Sequence, residues 1–222
     1  EQLELYNRAL LFAREKLQEH GAADVLASLT RLRQICCHAE LLHKTPSDTP
    51  SAKLDLLLEH LQELHGSGHS ALVFSQFTSM LDIIARELDK LSIPYYVITG
   101  ETPVEQRAKR VEAFSSSPEP AVFLLSLKAA GTGLTLTKAD YVFLYDPWWN
   151  PAVERQAIDR THRIGQDKTV IAYKLIVQDS VEEKVLALVE KKRELFNAVM
   201  DGAQEHAASS RLSLVELKEL LR

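Results

Sequence analysis

The sequence is poor in cysteine, in charge of one sign and in long apolar runs, and each shortage removes a class of protein. Its only two cysteines, Cys36 and Cys37, are adjacent. Neighbouring thiols give neither a disulfide framework nor a zinc site with CxxC spacing. Their place in an apolar helical pattern makes them packing residues, with a redox pair as the alternative. No apolar run reaches the roughly 18 residues that span a bilayer, and Glu1 to Glu4 lacks the basic and apolar stretches of a signal peptide. A cytosolic or nuclear protein without a membrane partner is therefore expected. Twenty-six basic residues against thirty-one acidic give a net charge of −5, which excludes a protein that coats nucleic acid by bulk charge. Any contact with a polyanion must be local.

What is present is enough for one substantial core: 222 residues, 45% of them hydrophobic. From Leu3 to Leu42 apolar residues recur at helical spacing, which predicts a helical annex. The segment Lys44 to Ser51 carries two prolines and ends it. Leu54 to Leu64 predicts another amphipathic helix, closed by Gly66-Ser-Gly68. Beyond it, five short apolar runs predict strands: Ala71–Ser75, Pro94–Thr99, Ala121–Ser126, Tyr141–Tyr145 and Val170–Val177. They are continuous rather than alternating, the sign of strands covered on both faces. Helical patterns at Thr78–Lys90, Pro103–Phe114 and Pro151–Thr161 separate most of them, the second marked by a capping box at Thr102-Pro-Val-Glu105. The alternation predicts an α/β fold, a parallel sheet with helices on both faces whose functional loops follow the carboxyl ends of the strands. Capping boxes at Ser180-Val-Glu-Glu183 and Ser213-Leu-Val-Glu216 open a long helix running to Met200 and a short last one. Three segments result: annex 1–50, main lobe 51–178, and bracing helix with tail 179–222.

Three stretches could carry chemistry. In Gln156-Ala-Ile-Asp-Arg160-Thr-His-Arg163-Ile-Gly-Gln166, positions 156, 160 and 163 share one helix face. One glutamine and two arginines aligned in this way suit a triphosphate, because guanidinium groups are always charged and donate in a planar fork. On spacing alone, a solvated face with salt bridges from Glu154 and Asp159 is the simpler account. In Ser126-Leu-Lys128-Ala-Ala-Gly131-Thr132-Gly133, two glycines flank a hydroxyl directly after a buried strand. Such a turn can present amide donors to an anion or serve as a tight connection. Asp146-Pro-Trp-Trp149-Asn-Pro151 sets both tryptophans in a proline-bounded loop, for packing on the sheet or for stacking on a partner. A G-x-x-x-x-G-K-[ST] loop is missing, Gly165-Gln-Asp-Lys168-Thr169 having extra residues between its glycine and its lysine, and no acidic pair is placed to hold a metal. Arginines poised for phosphate thus have no nucleotide cradle of their own, and the partner must come from elsewhere.

Taken in order, Leu72-Val-Phe-Ser-Gln-Phe77, Ser126 to Leu134, Asp146 to Pro151 and Gln156 to Gln166 closely resemble motifs four to six of the carboxyl-terminal RecA-like lobe of the Swi/Snf-like family of superfamily-two ATPases. Leu32-Arg-Gln-Ile-Cys-Cys-His38 is similar to the family's helical protrusion, Ser51-Ala-Lys-Leu-Asp55 to the start of the lobe, and Glu190 to Leu195 to the bracing helix behind it. The resemblance implies that Arg160 and Arg163 are arginine fingers, arranged by Gln156, for ATP with Mg2+ held mainly on an amino-terminal RecA-like lobe of the same polypeptide. It further implies that Gly131, Thr132 and Gly133 couple the nucleotide cleft to DNA, and that Ser75, Gln76, Lys128 and Trp149 lie along a surface tracking double-stranded DNA, with a DNA-bound protein as a possible target. Ala130, Thr135, His38-Ala-Glu40 and Thr99-Gly-Glu-Thr102 depart from the family's commonest residues, and the absence of large insertions resembles a prokaryotic member. Localisation would be nucleoid or cytoplasmic in a prokaryote and nuclear in a eukaryote. The alternatives are a lobe of a strand-separating helicase and a non-catalytic RecA-like binding module.

Overall fold

The computed structural model describes residues 1–15, 21–43, 49–130, 134–148, 158, 169–200 and 213–221. The chain divides into two compact units, Ser51–Leu175 and the pair of segments Glu1–Pro50 with Ile176–Arg222. Residues 1–50 and 179–222, far apart in sequence, fall within the same unit.

The larger unit is built on five parallel strands: β1 (Ala71–Ser75), β2 (Tyr95–Ile98), β3 (Val122–Ser126), β4 (Tyr141–Leu144) and β5 (Ile171–Lys174), in the spatial order β2-β3-β1-β4-β5. All five lie where the apolar runs place them. Only β1 and β3 are buried along their whole length; β2 is half-buried and β5 is exposed at all four positions. The expectation that all five runs are covered on both faces therefore fails at the edges. Composition makes each run fit for a core, but position in the sheet decides which run receives one.

Alternation along the strands sorts side chains onto two faces. Leu72, Phe74, Phe123, Leu125, Val142 and Leu144 gather with Phe114 of α6 (Val104–Ser116) into one core. On the opposite face α4 (Ala52–Gly66) sets His60 against Phe143, ring centroids 5.9 Å apart, and α5 (Thr78–Lys90) buries Met80, Leu81, Ile83, Ile84 and Leu88. The α4 helix begins where the Ser51 hydroxyl accepts from Leu54 N at 3.4 Å. It ends at a turn containing Gly68, whose φ of +83° glycine adopts without the cost a side chain would meet. The capping box expected at Thr102 does not form: Pro103 stands at the cap, and the Thr102 hydroxyl turns back to accept from Thr99 N at 3.0 Å. The threonine stabilises the turn before the helix instead of the helix itself.

In the smaller unit α1 (Gln2–Glu15), α2 (Ala22–Cys37) and α3 (Glu40–His43) join α8 (Val181–Met200) and α9 (Leu214–Leu221). Cys36 and Cys37 are free thiols, 3% and 0% exposed, packing residues as the helical pattern requires. Ser213 and Glu216 form the anticipated reciprocal box, Glu216 N donating to Ser213 Oγ and Ser213 N to the Glu216 carboxylate at 2.7 Å. At α8 the box is modified. Ser180 Oγ accepts from Glu182 N, while the Glu183 carboxylate reaches Asp179 N rather than Ser180. Among the described residues no helix is long and apolar enough to cross a membrane.

Candidate functional site

In the larger unit the connection after β1 runs across β3 to reach β2, whereas the connection after β4 runs the other way to β5. Neighbouring strands whose exits diverge leave a crevice at their carboxyl ends, the usual ligand position in open parallel sheets. Ser75 is the last residue of β1. Tyr145 N still donates to Phe74 O at 2.9 Å, so Asp146 is the first residue of its strand beyond the ladder.

Asp146 is 2% exposed and Ser75 fully buried. The Ser75 hydroxyl donates to Asp146 Oδ1 at 2.5 Å, and Gln76 N donates to the two carboxylate oxygens at 3.3 and 3.2 Å. Ser75 Oγ also accepts from Phe77 N at 3.1 Å. One carboxylate thus ties the first residues of two loops together, and charge makes those hydrogen bonds stronger than neutral ones. The Lys53 ammonium, on the first turn of α4 and 5% exposed, stands 5.4 Å from the centroid of the Tyr145 ring. A buried carboxylate and a buried ammonium at one end of a sheet are costly unless their surroundings compensate each other. The Gln76 amide nitrogen is buried without a hydrogen-bond partner among the described residues. A donor left in that state costs about 1–3 kcal/mol.

After β3 the chain enters α7 (Leu127–Ala130), with Ala129 N donating to the Ser126 hydroxyl at 3.4 Å. Gly131, Thr132 and Gly133 lie outside the described residues, as do Trp149, Gln156, Arg160 and Arg163, and nothing is described of the Lys128 side chain. Of the predicted site, then, Ser75 and Gln76 are placed, and they are placed together. Trp148 is partly buried against the α6-side core, the packing alternative for that tryptophan, and Ile158 packs against the same core.

Sequence reasoning quoted Asp146 and Lys53 within motifs but gave neither a role. The available signal was an acid immediately after a buried apolar run. What made it a hub, the adjacency of β1 and β4, is a property of strand order and is absent from any local pattern.

A parallel sheet of this order, with helices on both faces and a polar crevice at its divergent strands, defines a RecA-like α/β lobe. The family of the helicase conserved C-terminal domain matches residues 52–165. The chain is 42% identical over 173 residues to the DNA repair protein RAD5 of Cryptococcus neoformans, covering 77% of this chain and 14% of that protein. It is 41% identical over 172 residues to the ATP-dependent helicase rhp16 of Schizosaccharomyces pombe, covering 77% of this chain and 20% of the relative. The Sulfolobus solfataricus SWI2/SNF2 ATPase core, solved in complex with double-stranded DNA, aligns with a TM-score of 0.79 at 30% identity over 99% of this chain and 47% of that one. The chain belongs to the helicase conserved C-terminal domain family, as the carboxyl-terminal RecA-like lobe of its Swi/Snf-like group. It spans about a fifth or less of these two curated relatives and about half of the solved ATPase core.

Proposed function

We infer that this chain is the second motor lobe of an ATP-dependent translocase or remodeller of double-stranded DNA, completing a hydrolytic site that an amino-terminal lobe begins. The observation that carries this reading is Ile158 packed against the α6-side core. Successive residues of a helix turn by about 100°, so in the helix expected over Pro151–Thr161 Gln156 and Arg160 would stand about 160–200° round from Ile158, away from that core, and one more turn of it would bring Arg163 to about 140°. Guanidinium groups turned outward from a rigid scaffold suit a triphosphate presented from the opposite side.

ATP with Mg2+ supplies the transferable phosphoryl group and metal-bridged charge. Both would be held mainly on the other lobe. Arg160 and Arg163 would donate to the oxygens that gain charge in the transition state, with Gln156 fixing their geometry. Gly131, Thr132 and Gly133 would link this cleft to the nucleic acid. Gln76, Lys128 and Trp149 would line the DNA. Ser75 would act from beneath, since its hydroxyl is engaged by Asp146. Closure of the lobes on ATP would then ratchet the protein along the duplex. The likeness to an ATPase core solved with double-stranded DNA supports the choice of duplex DNA; a DNA-bound protein would be its target.

In the whole polypeptide, Arg163→Ala should lower DNA-stimulated ATP turnover by about a thousandfold or more, with the melting temperature unchanged. Hydrolysis at the normal rate by that variant would remove the arginine from the mechanism.

A further inference from the structure

We propose that Asp146 is a positioning residue that makes the loop after β1 and the loop after β4 move as one rigid piece, so that DNA engagement by Gln76 stays in register with the rest of the motor.

The inference rests on the motor reading above and deepens it. Three donors converge within the loops: Ser75 Oγ and Gln76 N reach the carboxylate directly, and Phe77 N is held through Ser75 Oγ. Ser75 and Asp146 are 0% and 2% exposed, so water does not compete for these bonds. The backbone of Gln76 is thereby fixed from the neighbouring strand, while its buried amide nitrogen has no hydrogen-bond partner among the described residues. With the backbone anchored, only a turn of the side chain separates this buried amide from an acceptor outside the protein, such as a phosphate oxygen.

The arrangement differs from ordinary loop packing in what it connects. Each loop leaves the sheet in a different direction, and the ladder that joins β1 to β4 is spent at Tyr145 N. Beyond that point Asp146 supplies the described polar bonds between the two loops. The Lys53 ammonium against the face of Tyr145, one residue earlier, puts positive charge at the same end of the sheet. A charged hub of this kind transmits displacement of one loop to the other, because breaking its bonds leaves the buried Ser75 hydroxyl and Gln76 N without this acceptor.

The test uses the whole polypeptide, with ATP turnover measured against the concentration of a plain DNA duplex and normalised to folded protein. Asp146→Ala should raise the half-saturating DNA concentration, and lower turnover at saturating DNA, each by on the order of tenfold to a hundredfold. Asp146→Asn keeps a carbonyl oxygen that accepts from Ser75 or Gln76, and should recover much of the DNA affinity. Ser75→Ala added to Asp146→Ala should cause little further loss, because one hub has already been removed. The idea is overturned if Asp146→Ala lowers only the yield or the melting temperature while DNA dependence per folded molecule stays normal, or if the two substitutions multiply as independent sites. A wild-type protein whose ATPase ignores DNA would instead sink the motor reading itself.

Discussion

Tyr6 sits where α1 meets the start of α8, and its hydroxyl accepts from Val181 N at 2.7 Å. Burial, helped by nearby Cys36, pushes its pKa up to about 12 from the ordinary 10.0. The folded protein therefore accepts the neutral phenol and resists the phenolate. Between pH 10 and 12 the unfolded chain gives up this proton while the folded chain keeps it, so stability falls as pH rises. A shift of that size corresponds to on the order of 2–3 kcal/mol. Urea unfolding midpoints measured from neutrality to pH 12 should show this decline. Tyr6→Phe should flatten it, while losing about 1–3 kcal/mol at neutral pH by leaving Val181 N unpaired. An equally steep alkaline decline in the variant would assign the titration to another group. The same logic of buried polar groups governs Asp146, where the consequence falls on loop position rather than on pH.

At the scale of elements, local chemistry is a good guide to where a helix or strand lies and a weaker one to how it is finished. Helix α5 and strand β1 occupy the spans that periodicity and apolar content mark out, and Ser213 with Glu216 caps α9 as its spacing demands. Thr102 does not cap α6, because Thr99 N offers its hydroxyl an acceptor's role in the preceding turn. Strand burial depended on neighbours in the same way. Phe123 in β3 is fully buried, with its ring 5.0 Å from Phe114 and 5.9 Å from Tyr96, whereas Tyr173 in β5 is 37% exposed. Phe123→Ala should cost about 3–5 kcal/mol by chemical denaturation, and Tyr173→Ala well under that. Equal losses at the two positions would contradict the sheet order β2-β3-β1-β4-β5.

For the molecule as a whole, the 222 residues span about half of the solved ATPase core they resemble. The purified chain alone should hydrolyse no ATP above the buffer rate, with or without duplex DNA, while the whole polypeptide turns it over when DNA is added. Turnover by the isolated chain would mean that it carries a nucleotide cradle of its own. Much of this was legible in sequence: five strands, the helices α5 and α6 between the first three of them, and a motif order specific enough to name the family, while the helix expected over Pro151–Thr161 lies, but for Ile158, outside the described residues. Those features are local, set by the period of apolar residues and by short polar motifs that keep their spacing. The Asp146 hub was not legible, because Ser75 and Asp146 are 71 residues apart and meet only when β4 takes its place beside β1. Nor was the exposure of β5, or the union of residues 1–50 with 176–222 in one unit. The sequence by itself determined which segments could form a parallel sheet and which family the chain belongs to. Tertiary structure decided which strands became neighbours, and with them which buried charge had to be satisfied across two loops, because pairing between distant segments is a property of the packed sheet that no local stretch encodes.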